Sequence, residues 1–257
     1  MPRNAIKMKQ RRAAILQRLE TDRLLSVTAL AEELGVTVVT IRSDLDAMEQ
    51  EGLLQRVSGG AVPVKEKAPF AGGRSLQNTA QKQQIARSAA AQIQDGAVLF
   101  INSGTTTHAL AQALKNKKNL NIVTNSIAVA LELGNVPTFR VILLGGEINS
   151  NFAFTYGVSA QEQLDIYRVD WAILTLDGIS TREGLTTYHP EEILINSMMM
   201  QRAKQVMIVA DHDKIGRAGF TCFGQAGKGI HLVTDSGADP KVLQALEKAG
   251  VIVTIGG

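Results

Sequence analysis

The segment FINSGTTTHALAQAL, residues 100–114, has an order of residues that often holds a phosphate group. An apolar run ends near Ile101, a turn containing Gly104 follows, and a helix beginning near Thr105 would offer backbone N–H groups and threonine hydroxyls to an anion. A capped turn without a ligand has the same pattern, so this segment alone leaves both interpretations open. The candidate binding residues here are Asn102, Ser103, Gly104, Thr105, Thr106 and Thr107.

Further small and polar residues follow other apolar runs along the chain. Because the carboxyl ends of parallel strands meet at one edge of a sheet, we expect these residues to converge with the 100–114 segment. Each group also has an ordinary structural explanation, such as a helix N-cap or a tight turn, and only their convergence favours a binding site. The groups are Thr124, Asn125 and Ser126, then Gly145 and Gly146, then Asp177 and Gly178.

Catalysis is an alternative use of the same residues. Isomerisation of an aldose phosphate needs a carboxylate to move a proton and an electrophile, often a lysine, to hold the developing charge. Carboxylates are supplied by Asp177 and by the consecutive pair Glu191 and Glu192. The four histidines have no metal-ligand spacing, and the sequence has no Walker or Gly-x-Ser-x-Gly motif. We therefore expect neither a metal nor a cofactor.

The elements that would position these residues are apolar runs of strand length alternating with helical patterns. Strands that are apolar on consecutive residues and alternate with helices are typical of a mostly parallel sheet covered on both faces, so the sequence predicts an α/β domain. The predicted strands are residues 97–101, 120–124, 140–146, 171–176, 205–210, 230–234 and 251–255, and the predicted helices are 81–93, 107–114, 126–133, 192–203 and 240–249.

The N-terminal segment contains three helical patterns in close succession. The first spans Lys9–Glu20, the second follows Thr28 as its predicted N-cap and stops at Gly35, and the third follows Thr37 as its predicted N-cap. Two short helices joined by a tight glycine turn, with a third helix ahead, match a helix-turn-helix. The residues predicted to share the buried face of the third helix are Val38, Ile41, Leu45 and Met48.

The outward positions of the third helix suit DNA, because short hydroxyl and methyl groups fit base edges and an arginine reaches a phosphate or a guanine. The segment LLQRVSGGAV that follows predicts a strand, a turn and a strand, which would form a wing. A helical domain used only for protein contacts is the alternative. The DNA-binding candidates are Thr37, Val39, Thr40, Arg42 and Ser43, with Arg56 and Ser58 in the wing.

Composition limits the class of protein. With 45% hydrophobic and 20% charged residues the chain is ordinary for a globular protein, and a net charge of +3 does not by itself predict nucleic-acid binding. The single cysteine, Cys222, allows no intrachain disulfide, and no apolar run approaches bilayer length. We expect a cytoplasmic protein without membrane association, with a DNA-binding domain at 8–63, a linker at 64–77 and an α/β domain at 78–257.

Two N-terminal segments carry a family resemblance, RRAAILQRL and SVTALAEELGVTVVTIRSDLDAMEQEGLLQRVSGGAV. They resemble the winged helix-turn-helix of the DeoR family of bacterial transcriptional regulators. The resemblance continues through GTTT, TNS, GGE, EGLTT and ADHDKIGRAGF, and so covers nearly the whole chain. The sequence departs from the family pattern at Ser43, where a second arginine is usual, and at Asn102, where an aspartate is frequent.

The resemblance implies that the α/β domain has a fold similar to ribose-5-phosphate isomerases and CoA transferases and senses a phosphorylated sugar. It implies that Ser103 to Thr107 hold the phosphate, with Asp177, Glu191 or Glu192, and Lys214 near the sugar.

Those isomerases have a lysine and a run of glycines after the aspartate, which DGISTREGLTTYHPEE lacks. Lys214 would replace that lysine only if the chain folded back. A sensor is therefore favoured over an isomerase-like enzyme with an added DNA-binding domain. The expected protein is a repressor of a catabolic operon for a sugar, sugar alcohol or amino sugar, and it binds double-stranded operator DNA as a homo-oligomer.

Overall fold

The computed structural model describes residues 8, 11–12, 14–16, 18–19, 25–50, 54–57, 60–63 and 78–256, with backbone alone at 50, 55–57 and 62–63. The chain divides into two compact units, Met1–Ala68 and Pro69–Gly257. The predicted linker, residues 64–77, lies outside the described residues.

The first unit contains a helix-turn-helix and a small antiparallel sheet. The described residues between Met8 and Leu19 are helical. Helix α1 spans Val27–Glu33 and helix α2 spans Val38–Gln50. Strands β1 (Leu25–Ser26), β2 (Leu54–Val57) and β3 (Gly60–Pro63) pair in the order β1-β3-β2. The strands predicted for the wing are confirmed, whereas Ser58, which lies between them in the sequence, is outside the described residues.

Of the three helix ends predicted from the sequence in this unit, two are confirmed and one is wrong. Thr37 caps α2, since its Oγ1 accepts a hydrogen bond from Thr40 N at 3.2 Å. Gly35 turns the chain with φ of 62°, a conformation that favours glycine. The prediction that Thr28 is an N-cap is wrong: α1 already begins at Val27, and Ser26 is the extended residue before it.

A buried carboxylate of α2 contacts the described helical residues between Met8 and Leu19. Asp44 is only 4% exposed although its neighbours in sequence include exposed polar residues. It forms an ion pair with Arg11 and lies 3.6 Å from Arg12 Nε. The apolar residues packed around this contact include Ile15, Leu19, Leu30, Ile41, Leu45 and Met48. The three helices therefore share one core, with an ion pair at its edge.

The second unit is built on a seven-stranded sheet in which every pairing is parallel. Its strands are β4 (Val98–Ile101), β5 (Asn121–Thr124), β6 (Arg140–Leu143), β9 (Val169–Leu174), β12 (Ala203–Val209), β14 (Ile230–Asp235) and β15 (Ile252–Gly256), in the spatial order β15-β14-β12-β9-β4-β5-β6. All seven predicted strands are confirmed. Their continuous apolar character follows from burial on both faces.

Helices cover both faces of this sheet. They are α3 (Thr79–Ala91), α4 (Thr105–Leu114), α5 (Ile127–Leu133), α6 (Val158–Asp165), α7 (Ile193–Gln201) and α8 (Pro240–Lys248). On one face, Phe100 packs in a cluster with residues of α6, α7 and α8. On the other, Ile101 packs with residues of α3, α4 and α5. The five predicted helices are confirmed, and α6 was not predicted.

Short antiparallel strands complete the second unit beyond the carboxyl edge of the sheet. One pair is β7 (Glu147–Asn149) and β8 (Phe154–Tyr156), and a second sheet has the order β10-β11-β13, with strands Gly178–Ser180, Gly184–Thr187 and Thr221–Gly224. Two short 3-10 turns, Pro190–Glu192 and His212–Lys214, accompany them. None of these elements was predicted. Among the described residues, no helix is both long enough and apolar enough to cross a membrane.

Candidate functional site

A cavity of about 450 Å³ lies in the second unit at the carboxyl ends of β4, β9 and β12. This is the edge of a parallel sheet at which ligands usually bind. Its lining comes from the loops after these strands, from the start of α3 and from the small sheets. The lining residues are Asn78, Lys82, Ser103, Gly104, Thr105, Thr106, Phe152, Thr175, Leu176, Asp177, Thr187, Tyr188, His189, Glu192, Asp211, Asp213, Lys214 and Arg217.

The amino end of α4 forms one wall of the cavity. Gly104 precedes the helix, and a side chain at this position would collide with the Thr175 methyl group, 2.0 Å from where its Cβ would stand. Thr105 and Thr106 line the cavity in the first turn. Thr107 does not, because its Oγ1 donates a hydrogen bond to the Gly104 carbonyl at 3.1 Å. The helix end and two of its three threonines are therefore available to an anion.

Asn102 lies behind this wall and does not line the cavity. Its side chain is 1% exposed and bridges two strands. Oδ1 accepts a hydrogen bond from Thr175 N at 2.9 Å, and Nδ2 donates to Thr175 O at 2.9 Å and to Asn196 Oδ1 at 3.1 Å. The amide thus joins the end of β4 to the chain leaving β9 and to α7. An aspartate at this position would have no N–H to donate to Thr175 O.

The predicted convergence does not extend to the ends of β5 and β6. Strand β8 covers them: Thr155 N donates to Asn125 O at 2.8 Å, and Thr155 Oγ1 donates to Leu144 O at 2.6 Å. Thr124 Oγ1 is bonded to Ile101 O, and Ser126 caps α5. The predicted site residues that do not line this cavity are therefore Asn102, Thr107, Thr124, Asn125, Ser126, Gly145, Gly146, Gly178 and Glu191.

Asp177 and Lys214 meet in the cavity from distant parts of the chain. Asp177 Oδ1 lies 3.4 Å from Lys214 Nζ. Its other oxygen accepts hydrogen bonds from Tyr188 N at 2.9 Å and Thr187 Oγ1 at 3.2 Å. These donors fix the carboxylate, which remains able to accept hydrogen bonds from ligand hydroxyls. Of the two glutamates predicted here, the 3%-exposed Glu192 lines the cavity.

Sequence reasoning missed a second set of charged residues. Lys82 of α3 has a side chain only 10% exposed, and its Nζ lies 3.6 Å from Asp211 Oδ2. Burial lowers the pKa of Lys82; the charge on Asp211 opposes this shift, and the charge on Lys214 adds to it. Asp211 follows β12, so the rule about strand ends would have found it. No local signal marks Lys82, because a lysine in a polar helical pattern usually faces solvent.

Asp213 joins the turn after β12 to the residue before α3. Asn78 Nδ2 donates to Asp213 Oδ2 at 2.9 Å, and this hydrogen bond lowers the pKa of Asp213. Arg217 lies 3.4 Å from the other oxygen. On the far side, the rings of Phe152 and His189 are 4.1 Å apart and give the cavity an aromatic flank. Cations, fixed carboxylates, hydroxyls and rings are the groups that bind a polyhydroxylated anion.

The candidate DNA-reading face lies on α2 in the first unit. Val39 is 74% exposed, and Arg42 and Ser43 are also exposed on the side opposite the buried Ile41 and Leu45. Thr37 is exposed, whereas Thr40 is half-buried, with its Oγ1 2.9 Å from Thr37 Oγ1. The backbone of Arg56 lies in β2, and its side chain is outside the described residues. The predicted outward face is present on the helix.

Among the described residues, no group of three or more histidine, cysteine or acidic side chains is arranged to hold a metal ion.

Comparison with known proteins identifies both units. Residues 11–67 match the family described as DeoR-like helix-turn-helix domain, and residues 77–236 match the DeoR C terminal sensor domain. The chain is 33% identical over 242 residues to the glycerol-3-phosphate regulon repressor of Escherichia coli (strain K12), covering 94% of this chain and 96% of that protein. It is 30% identical over 251 residues to the lactose phosphotransferase system repressor of Lactococcus lactis subsp. lactis, covering 95% and 98%.

Solved structures resemble the chain more distantly. Ribose 5-phosphate isomerase A from Methanocaldococcus jannaschii has a TM-score of 0.39 at 16% identity, over 53% of this chain and 54% of that chain. A probable sor operon regulator from Shigella flexneri has a TM-score of 0.41 at 11% identity, over 66% and 89%. Likeness at this level says nothing about what the cavity binds.

Proposed function

The chain belongs to the DeoR family of transcriptional regulators, and on that premise we propose that it represses an operon for carbohydrate catabolism under the control of a phosphorylated sugar. The operon would serve a sugar, a sugar alcohol or an amino sugar. The protein would act in the cytoplasm, where the operator DNA lies. Two relatives of nearly equal length are named as repressors, one for a glycerol-3-phosphate regulon and one for a lactose phosphotransferase system.

The observation that carries the proposal is the pairing of two kinds of group in one cavity. The amino end of α4, with Thr105 and Thr106, suits a phosphate, because backbone N–H groups and the helix dipole favour negative charge there. Asp177, held by donors from Thr187 and Tyr188, suits sugar hydroxyls. A phosphorylated sugar has both kinds of group on one molecule.

The first unit supplies the DNA-binding half of the proposal. Val39, Arg42 and Ser43 would enter the major groove, with Arg56 and Ser58 of the wing against the backbone. Since operator half-sites usually mirror the symmetry of the protein, we propose that the chain binds as a homo-oligomer. The effector would shift the oligomer between arrangements that fit and do not fit the operator, by as much as its affinity differs for the two.

Sugar-phosphate isomerisation is the second candidate, favoured by one observation. Lys214 Nζ and Asp177 Oδ1 lie 3.4 Å apart, so a lysine does reach the carboxylate despite the missing lysine-glycine run. Against it, donors from Thr187, Tyr188 and Lys214 already occupy both oxygens of the Asp177 carboxylate. The relatives matched over nearly full length are named as regulators. We therefore propose sensing without turnover.

A ligand screen separates these two functions. The full chain is heated with a panel of phosphorylated sugars and with the matching unphosphorylated sugars, and the shift in melting temperature is measured. Each stabilising compound is then incubated with the protein and analysed for conversion. Stabilisation by a phosphorylated sugar without conversion supports the sensor. Conversion establishes the enzyme, and no stabilisation by any phosphorylated sugar overturns both.

A further inference from the structure

We propose that Phe152 and His189 make the cavity selective for a phosphorylated sugar in its closed-ring form over the open chain of a sugar-alcohol phosphate. The inference rests on the function proposed above and narrows the class of effector, since the proposed operon could serve a sugar or a sugar alcohol. Three observations carry it: an aromatic pair on one side of the cavity, a strained turn that fixes this pair, and hydrogen bonds that link it to the polar groups of the site.

The aromatic pair forms a packed wall of the cavity. Phe152 and His189 both line the cavity, with their ring centroids 4.1 Å apart and their planes inclined by 56°. The ring of Phe154, which is fully buried, has its centroid 6.1 Å from that of His189, within the usual range for interacting aromatic rings. His189 therefore contacts two aromatic rings, and one of them is anchored in the interior.

The turn that carries Phe152 is strained. Ala153 has a φ of 52°, a left-handed conformation that is uncommon for residues other than glycine. Such strain persists only where surrounding contacts determine the backbone, and it clusters at binding sites. Three hydrogen bonds supply these contacts: Phe152 N donates to Asn149 Oδ1 at 3.2 Å, Ser103 Oγ donates to Phe152 O at 3.3 Å, and Ile127 N donates to Ala153 O at 3.0 Å. The backbone of Phe152 is therefore fixed before a ligand binds, which lowers the entropic cost of binding.

Hydrogen bonds link the wall to both polar parts of the cavity. Ser103, whose hydroxyl bonds to Phe152 O, lies just before the amino end of α4 that would hold the phosphate. On the other side, Thr187 Oγ1 accepts a hydrogen bond from His189 N at 3.1 Å and donates one to Asp177 Oδ2 at 3.2 Å. A ligand that spans the phosphate position and Asp177 therefore passes beside the aromatic wall.

A closed sugar ring suits this arrangement better than an open polyol does. The C–H groups of a sugar ring lie on the faces of a rigid frame whose hydroxyls project from its rim. One molecule thus offers an apolar face to the aromatic pair and hydroxyls to Asp177. An open polyol has a hydroxyl on nearly every carbon of a flexible chain, and it must lose rotational freedom to bring its C–H groups to one side. A preorganised aromatic wall therefore favours the ring.

The first test uses pairs of phosphorylated compounds that differ in ring closure. The closed members are 1,5-anhydrohexitol 6-phosphates of the gluco, galacto and manno configurations and the five-membered 2,5-anhydromannitol 6-phosphate, none of which can open. The open members are the corresponding hexitol 6-phosphates, which cannot close. Binding to the full chain is measured by calorimetry. We expect the closed member of the best-binding pair to bind about 2- to 10-fold more tightly, as for a contact with an aromatic ring.

The substitution Phe152→Leu tests whether the wall causes this preference. Leucine keeps an apolar side chain but removes the flat ring. Phe220→Leu is the matched control, because Phe220 is 76% exposed and does not line the cavity. We expect Phe152→Leu to bind the closed and open members equally and Phe220→Leu to keep the preference. Thermal unfolding without ligand verifies that both variants are folded.

A second measurement reads the wall in the unsubstituted chain and so does not depend on the folding of a variant. The chain is deuterated except at its phenylalanine rings, and nuclear Overhauser transfer from these rings to the C–H protons of the bound closed-ring compound is recorded by NMR. We expect transfer, because Phe152 lines the cavity. A bound ligand that receives no transfer from any phenylalanine ring would overturn the inference.

The outcomes separate this inference from the proposed function. If the open members bind as tightly as the closed ones, or if only phosphorylated compounds without such a ring bind, the cavity does not select a ring and the repressor proposal stands. If Phe152→Leu keeps the same preference as Phe220→Leu, the aromatic wall is not its cause. If the unsubstituted chain binds no phosphorylated sugar at all, both proposals fail.

Discussion

Lys214 Nζ lies 3.4 Å from Asp177 Oδ1, although 37 positions separate the two residues in the sequence. The short sheet β10-β11-β13 and the turn His212–Lys214 bring them together beyond the edge of the parallel sheet. The missing lysine-glycine run is therefore not sufficient to exclude catalysis. What distinguishes a sensor from an isomerase here is whether the fixed carboxylate binds hydroxyls or takes a proton.

Replacing Asp177 by Asn tests that distinction. The amide preserves the shape of the side chain but removes the charge that Lys214 and the Tyr188 N–H stabilise. We expect effector affinity to fall about 10-fold, as for the loss of one hydrogen bond to a charged group. Titration of the phosphorylated sugar by calorimetry measures it, with the exposed Glu162→Gln as control. Equal affinity for both variants would remove Asp177 from the site.

The double substitution Thr105→Ala, Thr106→Ala tests the phosphate-binding wall. Both threonines line the cavity in the first turn of α4, whereas Thr107 is turned toward the Gly104 carbonyl. We expect the double variant to lose its response to the effector and to keep its affinity for operator DNA. Operator release is followed by mobility shift as phosphorylated sugar is added, with the exposed Thr138→Ala as control. A normal response by the double variant would locate the phosphate elsewhere.

The sequence predicts the parallel sheet well because its strands are buried on both faces and are apolar at successive positions. The short elements carry no such signal: β7 has the exposed Ile148, and α6 buries only Ala160 and Leu164. These short elements decide which strand ends reach the cavity.

Burial of charged residues is the part of the site that local sequence does not reveal. Lys82 and Asp44 lie in helices whose polar residues otherwise face solvent, and both are buried by contacts with residues more than 30 positions away. Asn102 is a related case. Its position after a strand predicted a ligand contact, which stays a prediction; the structure shows its side chain bonded to Thr175, 73 positions later, and outside the cavity lining.

Arg42→Ala tests the DNA-reading face. Arg42 is exposed on α2 near Val39 and is not part of the apolar core, so its loss should leave the first unit folded. If Arg42 reads a base, we expect its loss to weaken binding to the operator by roughly 1–3 kcal/mol. If Arg42 contacts a phosphate, binding to the operator and to unrelated DNA should weaken by the same amount. Binding is measured with an operator and with unrelated DNA at fixed salt. Arg182→Ala, at a highly exposed arginine of the second unit, is the control, and operator binding equal to that of the control would exclude Arg42 from the interface.

Asn102→Asp tests the structural role of the amide. The aspartate keeps an acceptor for Thr175 N but places an oxygen where Nδ2 donates to Thr175 O at 2.9 Å. Since the site is 1% exposed, we expect the second unit to lose roughly 1–3 kcal/mol of stability. Thermal unfolding of the full chain measures this loss, and the exposed Asn116→Asp should have little effect. A melting temperature unchanged by Asn102→Asp would show that the bridge to Thr175 contributes nothing to stability.

Asp170 predicts a dependence of stability on pH that is independent of the cavity. Its Oδ1 accepts a hydrogen bond from Lys204 Nζ at 2.8 Å and its Oδ2 accepts one from Val98 N at 3.0 Å. The hydrogen bond from Lys204, followed by that from Val98, lowers the pKa of Asp170. A carboxyl whose pKa is lower in the folded chain adds stability above its unfolded pKa of about 3.9, and this stability disappears as the pH falls through the folded pKa.

Asp170→Asn should therefore lower the melting temperature at pH 7 and have less effect as the medium is acidified below about pH 4. Calorimetric scans of the full chain across this range measure the difference between the variant and the unsubstituted protein. Glu162→Gln removes an exposed carboxylate and should give a small difference at every pH. If the difference for Asp170→Asn stayed constant down to pH 3, the carboxylate charge would not stabilise the junction of β4 and β9. A stabilising effect of that charge must disappear when the carboxyl group is protonated.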